Sequence, residues 1–330
     1  MDINRIKEEI DLNDFIQINT TSRKSEEFKI LPQKVIGGKT IHCFLITSEI
    51  HLKKILETFD GLVEKFFIDV ERKQELNLAT LAKKYVKKTN IIYIKTNDLT
   101  VESTDILVSN YFKNEIFGKK ILIYGYGNIA SKVALRLAEK GCNVYITGRN
   151  IERIETIIEG LNCILPKYNN TKISRFQNLE IYENTFDALI SFVSVDNVIT
   201  SDYVKLLKNN SISLDGGINN FSDNFISECL KENKYLLRLD VRVASNYLFL
   251  STHKDVKYFF NKVIGRKYLN GLSAVAGGVL GEEGEIVLNN IDNPTQVIGI
   301  ANGIGGLKDE AEFDQRDKQK VNEAQKWFIN

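Results

Sequence analysis

The chain has 330 residues, of which 43% are hydrophobic and 26% charged, an ordinary soluble composition with enough length for two domains and sizeable cores. Lys and Arg number 44 against 43 Asp and Glu, a net charge of +1, which gives neither nucleic acid nor an anionic membrane surface an electrostatic hold. No apolar run approaches the ~18–20 residues of a membrane span, and the charged opening Met1-Asp2-Ile3-Asn4-Arg5 is not a signal peptide, so a cytoplasmic protein is expected. Cys43, Cys142, Cys163 and Cys229 show no C-x-x-C spacing and read as buried thiols. With only His42, His51 and His253 beside them, no metal site is expected.

Strands and helices alternate from the start. Thr40–Ile46 has strand length, and Ser48 precedes a helical pattern with Leu52, Ile55, Leu56 and Phe59 on one face, stopped by Asp60-Gly61. Phe66–Val70 and Ile91–Ile94 read as strands around a helix over Leu76–Val86, and a helix over Glu102–Tyr111 leads to Gly118. Lys120–Tyr124 is a buried-type strand, followed by Gly125-Tyr126-Gly127-Asn128-Ile129-Ala130, a helix to Lys140, and the strand Asn143–Thr147. Further strands are expected at Ala188–Val193, Ser211–Asp215 and Tyr235–Asp240, and at most one short strand within 162–184. Beyond Val243, Tyr247–Tyr268 reads as mostly helical. Glu285–Leu288 and Gln296–Ile300 are strand-like between glycine clusters, and Glu310–Phe328 is a charged amphipathic helix expected to pack on one of the domains. The fold class is α/β: an N-terminal α/β substrate domain over 1–117, a Rossmann doubly wound parallel sheet over 118–243, and a C-terminal helical and Gly-rich segment over 244–330 packing back.

The G-x-G-x-x-A run follows a strand and opens a helix, which is the context that gives it meaning. Gly125 makes the tight turn, Gly127 admits a pyrophosphate to the backbone, and Ala130 keeps the helix close to the sheet. The free N–H groups at Asn128 and Ile129 face the phosphates with the positive end of the helix dipole. Enzymes that use NAD place an acidic residue about 20 residues past the first glycine. Here Thr147-Gly148-Arg149-Asn150 stands there, with Arg153 one turn on. An arginine accepts a 2′-phosphate that a carboxylate would repel, so NADP is favoured over NAD, with Arg149, Asn150 and Arg153 at the adenosine ribose. The plain alternative is a solvated loop. Val193, Gly216 and Gly217, at two strand ends, complete the expected cofactor contacts.

The stretch Glu102–Glu155 resembles the shikimate dehydrogenase family. Ser103-Thr104-Asp105 stands where that family has an N-T-D motif, and Gly148-Arg149-Asn150 where it has an arginine motif. Upstream, Phe67–Lys73 is loosely similar to a strand ending in the family's lysine, without its threonine and proline. Leu214-Asp215-Gly216-Gly217-Ile218-Asn219 is similar to the D-x-G-I-N motif of methylenetetrahydrofolate dehydrogenases. No counterpart of the shikimate family's C-terminal glutamine motif is found. The resemblance implies a two-domain NAD(P)-dependent oxidoreductase, with Lys73 and Asp105 as a catalytic pair across a cleft.

A hydride-transfer enzyme needs a group that handles the proton on the reacting oxygen, and a lysine–carboxylate pair does this. The bland reading makes Lys73 one of many surface lysines and Asp105 a support for a helix start. Two functions stay open. One is an NADP-dependent oxidoreductase acting on a hydroxyl or carbonyl of a small polar metabolite. The other is a non-catalytic nucleotide-binding protein, a sensor or structural partner. Partners are expected to be a small-molecule substrate and, as an open option, a second copy in a homodimer.

Overall fold

The computed structural model describes residues 3–22 and 28–328. The chain falls into two compact units, 1–248 and 249–330. In chain order the first unit opens with α1 (Ile3–Glu9), β1 (Phe15–Asn19), β2 (Phe28–Ile36), β3 (Lys39–Ile46), α2 (Glu49–Phe59), β4 (Lys65–Asp69), α3 (Leu78–Tyr85), β5 (Asn90–Ile94) and α4 (Thr96–Tyr111). Five strands form one sheet in the order β2-β3-β1-β4-β5, parallel except for the antiparallel pair β2–β3. Ile16, Ile18, Phe44, Phe66 and Ile68 face the apolar stripe of α2, with Leu52, Ile55, Leu56 and Phe59 fully buried. β1 and β2 carry no clear sequence signal. β1 is a short strand broken by polar Gln17 and Asn19, and β2 carries Pro32, which confines it to the sheet edge.

The second set is β6 (Lys120–Tyr124), α5 (Asn128–Glu139), β7 (Asn143–Thr147), α6 (Ile151–Ile164), β8 (Ile173–Arg175), β9 (Phe186–Ser191), β10 (Leu207–Asp215), α7 (Asp223–Lys231), β11 (Tyr235–Arg238) and the short α8 (Ser245–Leu248). Its six strands are all parallel in the order β11-β10-β9-β6-β7-β8. The order reverses between β6 and β9, the topological switch point of a doubly wound dinucleotide-binding sheet. No strand of 15–94 joins this sheet.

Three expectations need correcting. The helix expected from Glu102 begins at Thr96. Its first turn is capped from outside, since the Asn97 N–H donates to Glu71 Oε2 at 2.6 Å, a tertiary cap that no local sequence signal marks. Tyr247–Tyr268 is not one helical stretch. Short turns end at Val263, and Gly265, at φ +155°, opens a strand. Cys163 is exposed, being on the outer face of α6, while the other three cysteines are buried.

The second unit holds α9 (Lys254–Tyr258), β12 (Gly265–Leu269), β13 (Leu272–Ala276), β14 (Ile286–Leu288), β15 (Val297–Ile300) and α10 (Gln315–Gln325). The four strands form a sheet in chain order, and the terminal helix finds its partner there. Ala324 is buried with Ala274, Ile286, Leu288 and Ile300 in a core of the unit's own. Among the described residues no helix is long and apolar enough to cross a membrane, and no cluster of His, Cys, Asp or Glu could hold a metal ion.

Candidate active site

The turn after β6 is built as the glycine spacing requires. Gly125 lies at φ +131°, and a Cβ there would meet the Phe192 carbonyl oxygen at 2.7 Å, so only glycine fits. Gly127 caps α5 and has open space where a side chain would stand, leaving the helix N-terminus accessible. Ala130 is fully buried against the sheet. Opposite, Gly216 and Gly217 follow β10 so closely packed that a Cβ on Gly216 would overlap the Phe192 ring, and one on Gly217 the Asn220 side chain and the Val193 carbonyl.

Asn220 holds this second loop, and no sequence motif singles it out. It is fully buried. Its Oδ1 accepts from Ser191 Oγ at 2.8 Å, and its Nδ2 donates to the carbonyls of Val193 at 3.0 Å and Val195 at 2.8 Å. The side-chain amide therefore fixes the loop after β9 against the loop after β10. Ile218 and Asn219 take the left-handed conformation at φ +66° and +59°, a strained choice for a β-branched residue.

These two loops border a cleft of about 700 Å³. Gly127, Asn128, Ile129 and Ala130 line one side, with Val193, Gly216 and Gly217 beside them. Thr20, Lys29 and Leu45 of the five-stranded sheet and its loops line the other. The open helix N-terminus and the glycine cradle fit a pyrophosphate-bearing cofactor. Arg149, Asn150 and Arg153 do not line the cleft, and all three are exposed. Asn150 is spent capping α6, accepting from the Arg153 N–H at 3.0 Å. Arg149 lies near Tyr124, whose phenol is pushed up by burial and drawn back by the arginine's charge. Among the described residues the Arg149 side chain has no hydrogen bond or ion pair.

A second cavity of about 550 Å³ adjoins the first, sharing Leu31, Lys73 and Asn97 with it. Lys73 therefore stands at the wall between the two. Its Nζ donates to Asp69 Oδ2 at 2.8 Å and to Thr96 Oγ1 at 2.5 Å, and lies 3.6 Å from Glu71 Oε2. Thr96 in turn donates to Asp69 Oδ2 at 2.7 Å. Asp69 Oδ1 accepts from the Glu71 N–H at 3.0 Å, so this wholly buried carboxylate is satisfied on both oxygens. Asn97 carries the network across the cleft, its Nδ2 donating to Asn128 Oδ1 at 3.4 Å.

The expected Lys73–Asp105 pair is not formed. Because α4 starts at Thr96, Asp105 sits in its interior, not at its mouth. It binds Lys140 Nζ at 2.5 Å and lies 3.6 Å from Arg136, both on or just past α5, and it lines neither cavity. Its charge fastens two helices together. The carboxylate that serves Lys73 is Asp69, from the same strand end. Asp240 and Arg242 form an ion pair at 2.5 Å at the rim of the second cavity.

Residues 107–214 match the profile of the shikimate/quinate 5-dehydrogenase family. The chain is similar to glutamyl-tRNA reductase of a Nitratiruptor species, 26% identical over 113 residues, which is 34% of this chain and 25% of that protein. It is 28% identical over 149 residues to the chloroplastic glutamyl-tRNA reductase 3 of Hordeum vulgare, 44% of this chain and 26% of that one. It thus spans about a quarter of the length of these curated relatives. Among solved structures, a shikimate dehydrogenase in complex with NADP+ is 16% identical at a TM-score of 0.43, covering 73% of this chain and 96% of that one. A dipicolinate synthase chain of Bacillus halodurans is 16% identical at 0.43, covering 77% and 82%. The family match is confined to residues 107–214, the stretch that holds the glycine turn and the first helix of the six-stranded sheet.

Proposed function

We propose that this chain is an NADP-dependent dehydrogenase or reductase acting on a hydroxyl or carbonyl of a small polar metabolite. The observation that carries the reading is the place of Lys73, in the wall shared by a glycine-lined nucleotide cleft and a second cavity. When bound, a nicotinamide supplies or accepts hydride. The chain's own residues supply the rest. Lys73 donates a proton to the substrate oxygen in reduction and removes it in oxidation. Asp69 and Thr96 hold its ammonium at the wall, and Asn97 ties the start of α4 to the start of α5. Gly125, Gly127 and the first turn of α5 seat the pyrophosphate. In this reading Arg149, whose side chain has no hydrogen bond or ion pair among the described residues, meets the 2′-phosphate.

The test has two stages. Calorimetry with NADP and NAD establishes whether the native chain binds one, both or neither; equal affinities sink the NADP assignment. A spectroscopic screen of NADPH oxidation against small keto acids and cyclic ketones then looks for turnover. Tight NADPH binding with no turnover by any of them would favour the non-catalytic nucleotide-binding reading.

A further inference from the structure

The second unit carries a helical stretch that its own chain leaves uncovered. α9 has 5 residues and the π turn that continues it, Phe259–Val263, another 5, and no side chain of either is buried. A helix this short is marginal in water unless packing supports it. It is tied to the residues just past β14: Lys262 Nζ binds Asp292 at 2.7 Å, Asn290 Nδ2 donates to the Tyr258 hydroxyl at 3.3 Å, and the Ile291 N–H donates to the Val263 carbonyl at 3.0 Å. Tyr258, Phe259 and Phe260 remain exposed, Phe260 at 65%. Lys254 and Lys257 stand on the same short stretch, exposed and with no ion pair among the described residues. This surface is aromatic and positive.

At the other end of β14 the glycine clusters build a surface of the opposite kind. Asn302 Oδ1 accepts from the N–H groups of Ile304 at 3.0 Å and Gly306 at 2.9 Å, and the Asn302 N–H donates to the Gly306 carbonyl at 3.0 Å. Gly303 and Gly305 take φ +77° and +91° between these bonds, so the loop is closed on itself and holds Ile304 out at 89% exposed. Leu280, 71% exposed, lies beside it, 3.9 Å from where a Gly305 Cβ would stand, and exposed Leu307 lies against Gly299. The backbone of Glu283 packs on Gly303. Glu283 and Glu310 are exposed and have no ion pair among the described residues. The Ala301 N–H donates to the Glu285 carbonyl at 2.8 Å and the Gly284 N–H to the Ala301 carbonyl at 2.9 Å, which sets these loops at the start of β14, away from the helical stretch at its end. This surface is aliphatic and negative.

We propose that the two surfaces cover each other between two copies of this chain, the α9 stretch of one copy lying on the patch of Leu280, Ile304 and Leu307 of the other. Their charges are complementary, both have apolar area to bury, and the contact gives the short helix the packing it lacks. Every copy carries both surfaces, so a two-fold pair forms the contact twice. The inference does not depend on the reductase reading. Sedimentation velocity of the native full chain, over a hundredfold range of concentration and at low and high salt, should show a monomer–dimer equilibrium that salt weakens. Lys254→Glu with Lys257→Glu sets acid against acid, and Glu283→Lys with Glu310→Lys sets base against base. Each double variant, its fold checked by circular dichroism, should self-associate at least about tenfold more weakly than the native chain. An equimolar mixture of the two should pair as the native chain does, since each surface then meets its opposite in both contacts. A native chain that stays monomeric overturns the proposal, and its sedimentation with phosphatidylserine vesicles would then assign the α9 stretch to a membrane surface. Dimers that survive either reversal, or reversed variants that do not pair when mixed, overturn it as well.

Discussion

The two sheets of the first unit build their cleft-facing edges by different means. The six-stranded sheet does so with backbone: Gly125, Gly127, Gly216 and Gly217 stand where the chain turns tightly, packs closely or leaves a helix N-terminus open. The five-stranded sheet does so with side chains that meet from separate elements, Asp69 from β4, Lys73 from the loop after it, and Thr96 from the start of α4. A backbone requirement imposes glycine at fixed spacing. A side-chain meeting imposes only that some compatible residues converge, so its spacing is free to vary.

The hardest blow to this comparison would come from Lys73. Lys73→Ala should lower turnover by about 10²–10⁴, the scale of general acid–base catalysis, with NADPH affinity nearly unchanged because the proposed nucleotide contacts are backbone groups of the other sheet. Steady-state kinetics on a substrate found by the NADPH screen, with a parallel cofactor titration, checks it. A loss of cofactor affinity of similar size would move Lys73 to the nucleotide side.

The same contrast explains what is legible in the amino-acid sequence. Except for β8, which lies in the unclear stretch 162–184, the strands of the second sheet, the turn at Gly125 and the loop at Gly216-Gly217 can be read because each is a local pattern with a physical demand behind it. Lys73 is legible only through a family resemblance, and the resemblance assigns it the wrong partner. Asp105 resembles the family's aspartate in sequence position, yet α4 starts at Thr96 because Glu71 caps it from the neighbouring loop, and that start turns Asp105 toward α5. Asp69 carries no mark in the sequence, since a buried aspartate at a strand end is identified only by what it touches. Asn220 escapes notice for a similar reason: the motif signals the glycines, while the clamp that needs them lies just beyond.

Arg149 tests the nucleotide side. Arg149→Ala should weaken NADP by roughly 1.5–3 kcal/mol, the range for a charge-assisted hydrogen bond, and leave NAD almost untouched. Calorimetry with both cofactors reads it. An equal loss for both would mean that the arginine shapes the loop and does not recognise a phosphate.

Asp105 sharpens the comparison from the other direction, since its role is now structural. Asp105→Asn should leave turnover and NADPH affinity as they are and cost about 1–2 kcal/mol of stability, because Lys140 and Arg136 lose a charged partner that is itself buried while they are partly exposed. Denaturant unfolding beside kinetics separates the two. A fall in turnover with unchanged stability would restore Asp105 to the mechanism.

The smallest effect concerns the tie between the start of α4, which carries Thr96 and Asn97, and α5, which opens at the nucleotide cleft. Asp98, in the first turn of α4, takes Lys132 of α5 at 2.5 Å and Lys95 at 2.5 Å. Partial burial alone would raise its carboxyl, but the hydrogen bonds and charges of the two lysines outweigh this and hold it below the usual range. The folded state therefore takes up this proton less readily than the unfolded chain, whose aspartates titrate near about 3.9. The stabilisation is complete above that value and is lost as the pH falls through the lower folded one. Both lysines are partly exposed and solvent screens the pair, so its worth is about 0.5–1 kcal/mol. Asp98→Asn should lower stability by that amount at neutral pH, and the difference from the native chain should shrink towards zero in acid. Urea unfolding of both proteins across the acid range reads the convergence. A gap that stays constant with pH would assign the effect to helix-capping geometry and leave the two sheets joined by something other than this charge.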